Sequence, residues 1–223
     1  MLTPAEVLKS HIVANSTMNR ARGLSGVNSY GKDLRFDVLD WLLKRYESTG
    51  SVVWYDVCCG EARALFQAAD ALRERGIWDG VTIVGADLVM DSRLVREDVT
   101  LIEGDVSTIV PVTKVDLITC AHGLHYIGDK LGLLSHLSGL LANDGMFVGH
   151  IDPVNVRIDG EAAKGWGSVA RLAGEGKSRL VYKDHILKIV GSGRVEFDVQ
   201  YLGATVSERP NYTGITVMDS WYS

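Results

Sequence analysis

Cysteine is scarce in this chain: Cys58, Cys59 and Cys120 are all there are among 223 residues, and two of them are adjacent. An odd, clustered set excludes a disulfide framework and fits a reducing, cytoplasmic setting. Proline is scarcer than usual for this length, at 4, whereas glycine reaches 24. Glycine without proline points to many tight strand-helix turns and excludes a flexible low-complexity linker. No apolar run approaches the ~20 residues that cross a bilayer. The first residues, Met1 to Asn19, lack the basic start and apolar stretch of a secretory signal. Basic excess is missing too: 23 Lys and Arg stand against 28 Asp and Glu, a formal charge of −5. That balance argues against nucleic acid or an anionic membrane as the main partner. With 46% apolar and 23% charged residues, disorder is excluded as well.

What is present is an alternation of strands and helices within a length that suits one α/β domain. Thr3-Pro4-Ala5-Glu6 has capping-box spacing and opens a short helix. Helical spacing of Leu34, Val38, Trp41, Leu42 and Tyr46 predicts a longer helix from about Asp33 to Tyr46, stopped by Gly50. Strands are expected over Val52–Val57, Val81–Ala86, Val99–Ile102, Val115–Cys120 and Met146–Ile151. Helices over Glu61–Arg75 and Lys130–Leu141 fall between them, and Asn143-Asp144-Gly145 reads as a turn. Strands spaced by helices imply a parallel sheet with right-handed crossovers, covered on both faces. Beyond Asp152 the rhythm changes. Glu161–Leu172 reads as helical, and Arg179–Ile189 is ambiguous between short strands and a helix. Arg194–Val206 and Tyr212–Trp221 alternate like an antiparallel pair joined by a turn over Ser207–Asn211.

In a doubly wound sheet the ligand lies outside the carboxyl ends of the strands, where the winding reverses. After the first strand the chain reads Asp56-Val57-Cys58-Cys59-Gly60-Glu61-Ala62. A strand, a small-residue turn and a helix start leave backbone N–H groups facing outward. A dinucleotide fingerprint would have glycine at 58, 60 and 62, and only Gly60 is present. The turn residues also have a purely structural reading, as small residues before a helix. The second strand ends at Asp87, suited to ribose hydroxyls or to capping the next helix, and the third at Glu103-Gly104-Asp105-Val106.

The succession Val52 to Ala62, Val84 to Asp87, Gly104 to Val106, Asp116 to Ala121 and Leu140 to Val148 resembles class I S-adenosylmethionine-dependent methyltransferases. The resemblance covers about a hundred residues, Val52 to Ile151. It implies a Rossmann-like seven-stranded sheet, mostly parallel, with an antiparallel C-terminal strand pair. It also implies S-adenosyl-L-methionine as cofactor: Cys58, Gly60 and neighbouring turn residues around its methionine moiety, Asp56 by the amino group, Asp87 and Leu88 at the ribose. Gly104, Asp105 and Val106 would border the adenine, and Ala121 would line the site at the fourth strand tip. Cys58 and Ala62 depart from the family's glycines, since a Cβ resists a left-handed backbone.

His122 and His125 are candidate bases beside the transferable methyl group, because imidazole suits proton removal near neutrality. A core role at the start of the next helix competes for His125. An H-x-x-H spacing without further ligands does not make a metal site, so no metal is expected. Neither an Asn/Asp-Pro-Pro-Tyr string nor a carboxylate set of the magnesium-dependent kind stands at this strand end. The expected acceptor is therefore a small molecule methylated on oxygen or nitrogen. Residues 1–50 are read as a helical lid or cap, with Asn15–Tyr30 either an ordinary solvated loop or a lid closing over the site on Gly23 and Gly26, Tyr30 then packing on the cofactor. Residues 51–151 form the cofactor-binding core, 152–193 the acceptor pocket with Trp166 and Tyr182, and 194–223 the strand pair. A nicotinamide-dependent oxidoreductase and an inactive relative that still binds the cofactor are the alternatives, and a homodimer is left open.

Overall fold

The computed structural model describes residues 1–10, 20–91, 96–111, 113–174 and 176–223. Seven strands build the main sheet: β1 (Val52–Val57), β2 (Val81–Asp87), β3 (Thr100–Glu103), β4 (Val115–Cys120), β5 (Leu141–His150), β8 (Arg179–Lys183) and β9 (Ile186–Val190), in the order β3-β2-β1-β4-β5-β9-β8. The first five are parallel, β9 runs against β5, and β8 against β9. Winding reverses between β1 and β4. The fold is therefore a doubly wound, Rossmann-like α/β sheet.

Period-two alternation sends successive side chains to opposite faces. Trp54, Leu117 and Val148 pack on one face with Leu42 of α3 (Val38–Thr49) and Leu65 and Leu72 of α4 (Arg63–Glu74). Tyr55, Ile118 and Phe147 pack on the other with Leu131, Leu134 and Leu137 of α5 (Lys130–Leu140). Sheet burial on both sides explains why β4 has no exposed residue. Short helices α1 (Pro4–Leu8) and α2 (Tyr30–Asp33) precede this core, and α6 (Trp166–Ala170) follows β5.

The expected elements return with shifted limits. Asp37 caps α3 by accepting from Asp40 N at 3.0 Å, so the helix expected from Asp33 starts later, after the separate turn of α2. The Asn143-Asp144-Gly145 turn is absorbed into β5, where the register with β4 jumps from Val115↔Leu141 to Leu117↔Met146. Glu161–Leu172 is helical only over α6, because Gly165 (φ 144) begins it late.

One expectation needs correcting. The antiparallel pair closing the main sheet is β8–β9, from the segment that was ambiguous in sequence. Its tight turn, Asp184-His185, holds both residues at positive φ (50° and 64°), the conformation hairpin turns require but without the usual glycine. The later alternating runs shrink to β10 (Tyr201–Val206) and β11 (Met218–Tyr222), which do pair antiparallel. They lie in a second, four-stranded sheet with β6 (Val156–Ile158) and β7 (Glu161–Ala162). Lys130, fully buried, ties this sheet to α5 by donating to Met218 O at 2.7 Å, Ser220 Oγ at 3.1 Å and Ile127 O at 2.8 Å. Among the described residues no helix is long and apolar enough to cross a membrane.

Candidate functional site

A cavity of about 440 Å³ opens at the carboxyl tips of β1 to β4, at the reversal of winding. That volume lies within the roughly 300–1,000 Å³ typical of small-molecule sites. Each tip contributes: Cys58 and Gly60 after β1, Asp87 and Leu88 at β2, Gly104, Asp105 and Val106 after β3, Ala121 and His122 after β4.

The turn after β1 decides what this cavity is. Cys58, Gly60 and Ala62 all adopt positive φ, at 61°, 61° and 54°. These are the three positions where a glycine fingerprint would stand, so the left-handed backbone is kept although two of them carry a Cβ. A non-glycine residue in that region costs about 1–3 kcal/mol and persists only where its surroundings enforce it. Here they do. Cys59 N donates to Ala86 O at 3.1 Å, and Gly60 N to Asp87 Oδ2 at 2.8 Å. Glu61 N donates to Arg20 O at 2.8 Å, and a Cβ on Gly60 would sit 2.5 Å from that same oxygen. His122, at φ 64, is likewise left-handed and lines the cavity.

Asp87 and Asp105 share this cavity. Asp87 also receives Val89 N at 3.2 Å and lies 3.5 Å from Arg20 Nη1, so it clamps both the glycine turn and the chain above it. Asp105 Oδ1 accepts from Ser107 N and Oγ, at 2.9 and 2.7 Å, while Oδ2 accepts no hydrogen bond among the described residues. Asp56 is not on the cavity surface. It is fully buried beneath, accepting from Tyr30 Oη at 2.6 Å and from Thr119 Oγ1, and burial pushes its pKa up to about 7. Tyr30 is consequently drawn away from the cavity as well, because a buried carboxyl needs donors. The expected roles of Asp56 at an amino group and Tyr30 on the cofactor do not match these positions.

His125 also lies off the cavity, 2% exposed, and burial holds its pKa well below the usual imidazole value, which makes it a poor base. Trp166 and Tyr182 stack on each other at 5.4 Å, outside the cavity lining. Of the candidate bases only His122 faces the cavity. Its Nε2 is 3.6 Å from Asp33 Oδ2 on α2. Burial would raise the Asp33 pKa, but hydrogen bonding to His122 and Arg22 outweighs it and lowers the value to about 2. A permanent carboxylate thus faces the imidazole. The other ring face of His122 stacks on His150, at 4.0 Å and 18°. Cys58 packs against Cys120, whose hydrogen bond, with burial, raises the Cys58 thiol's pKa and leaves it unreactive.

Of the expected lid, Asn15 to Asn19 lie outside the described residues. Arg20 lines the cavity, and Gly23 and Ser29 bridge across the loop that follows. Sequence reading missed Arg20, Asp33 and His150 as site residues. The signal for them was weak: His150 is a polar residue ending a buried strand, and Asp33 lies on another element altogether. Among the described residues, no group of three or more His, Cys, Asp or Glu is placed to hold a metal ion.

Neither family models nor curated proteins give a match to this chain. Among solved structures, magnesium protoporphyrin IX methyltransferase from Synechocystis PCC 6803 with bound SAM is 16% identical, with a TM-score of 0.48 over 86% of this chain and 99% of that one. An N-methyltransferase from Bradyrhizobium japonicum WM9 in complex with S-adenosyl-L-homocysteine is 13% identical, with a TM-score of 0.43 over 82% of this chain and 99% of that one. At these values the likeness adds nothing about the reaction, which has to be read from the site itself.

Proposed function

We propose that this protein is an S-adenosylmethionine-dependent methyltransferase acting, without a metal, on oxygen or nitrogen of a small-molecule acceptor. The observation that carries the reading is the left-handed turn at Cys58, Gly60 and Ala62, held under strain at the floor of a cavity that Asp87 and Asp105 border from the next two strand tips. Strain kept at a ligand crevice is expected where the backbone itself has to meet the ligand. The turn residues hold the methionine moiety, Asp87 and Leu88 the ribose, and Asp105 with Val106 the adenine. The Asp105 oxygen that accepts no hydrogen bond among the described residues suits a ligand's amino group.

When bound, the cofactor supplies a methyl group on a positively charged sulfur. The chain's part is to hold the acceptor near it, to exclude water and to take a proton. His122 is nine-tenths buried and Ala121 more so, which keeps the β4 tip dry. Imidazole at His122 takes the acceptor proton, and the Asp33 carboxylate 3.6 Å away favours the charged ring that results.

Calorimetric titration with S-adenosylhomocysteine and with NADH separates the readings. Binding of the former alone supports the proposal. No binding at millimolar concentration, or binding of NADH alone, removes it. Transfer of labelled methyl into a metabolite extract then distinguishes an enzyme from an inactive relative.

A further inference from the structure

His122, on the cavity wall, also meets a run of rings that cofactor binding leaves unused. His122 stacks on His150 and tilts against His125, 5.6 Å between centroids. His125 meets the edge of Tyr212 at 5.5 Å, with its Nε2 3.4 Å from the Tyr212 hydroxyl. Tyr212 lies flat on His185, at 3.8 Å and 12°. His185 stands edge-on to Tyr182, which stacks on Trp166. Four of the chain's 6 histidines thus converge with three aromatic rings.

Two features point to a ligand. Nδ1 of His125 and Nδ1 of His150 are both enclosed and, among the described residues, without a hydrogen-bond partner, on side chains 2% and 4% exposed. A buried polar atom left unpaired costs about 1–3 kcal/mol, so a guest with a complementary group is favoured there. Tyr212, 42% exposed, brings the run to the surface, and His122 brings it to the cavity.

Resting on the methyltransferase reading, we propose that this ring cluster is the acceptor site and that its occupant is a planar hydroxyaromatic, a phenol or a hydroxylated heteroaromatic. Tyr212 already presents that chemistry, a phenol ring flat against His185 with its hydroxyl near His125 Nε2. The acceptor displaces it, stacks on His185 and extends past His125 to the His122 ring on the cavity wall. Near-parallel stacking between flat rings favours a flat guest. Burial also keeps His125 and His150 uncharged, so they supply no cation for a carboxylate or phosphate. Arg22 and Arg35 are already engaged by Asp33 and Asp184. In the transfer, the acceptor oxygen forms its bond to the methyl carbon as the carbon–sulfur bond breaks, leaving its electron pair on sulfur. The hydroxyl proton passes to the His122 ring.

The test uses protein saturated with S-adenosylhomocysteine and titrated with 2-naphthol, 2-naphthylmethylamine or 2-naphthoate, read by saturation-transfer NMR and histidine ring-proton shifts. The expected result is 2-naphthol binding at least tenfold tighter than either analogue. It weakens at least tenfold in His185→Ala and tightens at least threefold in Tyr212→Ala, where the internal competitor is gone. Preference for the amine or the acid, or 2-naphthol binding that neither variant changes, overturns the proposal. If S-adenosylhomocysteine binds and 2-naphthol does not, this inference alone falls. If S-adenosylhomocysteine does not bind, the failure lies with the methyltransferase reading.

Discussion

Replacing Gly60 by alanine tests the glycine turn directly. The backbone there has φ 61, and a Cβ would lie 2.5 Å from Arg20 O and 2.8 Å from its Cα. The left-handed conformation alone costs an alanine about 1–2 kcal/mol. Relieving the clash moves the Arg20 backbone away and sacrifices its 2.8 Å hydrogen bond from Glu61 N, worth about 1 kcal/mol. Alanine also restricts the unfolded chain, which returns about 0.4–1 kcal/mol. The net loss is about 2 kcal/mol of stability, with at least a tenfold loss in S-adenosylhomocysteine affinity, because the turn and its cover both shift. Gly76 supplies the control: its φ is 68 and nothing lies within 4 Å of where a Cβ would stand, so Gly76→Ala bears the conformational cost only. Urea unfolding and calorimetric titration of both variants give the comparison. Equal stability losses, or unchanged affinity in Gly60→Ala, would refute the reasoning.

Three further outcomes are expected. Asp33→Asn lowers turnover at least tenfold with S-adenosylhomocysteine affinity within twofold of the parent, because the carboxylate 3.6 Å from His122 Nε2 is gone; unchanged turnover sinks the role of Asp33. Asp87→Ala weakens the same ligand at least tenfold, about 1.4 kcal/mol, as measured by calorimetry, and equal affinity would show the ribose site to be misplaced. The Asp56 pKa is raised from 3.8 to about 7 in the folded chain by burial, so its contribution to stability is fully present below about pH 4 and is lost as pH rises through 7. Asp56→Asn flattens that fall in urea midpoint between pH 4 and 7; an unchanged profile would mean the carboxyl is not the group responsible.

Most of the sheet was legible because its strands are short β-branched runs separated by amphipathic helices. Val52–Val57 and Val115–Cys120 fall within their expected limits. The hairpin of β8 and β9 was not, since its turn residues, Asp184 and His185, lack the glycine that usually marks such a turn. Local alternation predicted the pairing of β10 with β11 but not the sheet they join, which is settled by long-range contacts such as those of Lys130. In the site, strand-tip residues Gly60, Asp87 and Asp105 were readable from their position after each strand. The depth of Asp56 was not legible, because alternation cannot tell a carboxyl at the surface of a crevice from one sealed below it by Tyr30 and Thr119. The Asp33–His122 pair spans two distant segments, and no spacing rule brings them together.

If four neighbouring strand tips hold one adenosine-bearing ligand, amide NMR shifts on adding S-adenosylhomocysteine will trace them. Large, saturable shifts are expected at Gly60, Leu88, Gly104, Val106 and Ala121, with little change along β8, β9 and β11. Shifts confined to other surfaces, or none at millimolar ligand, would show that the tips do not form one site.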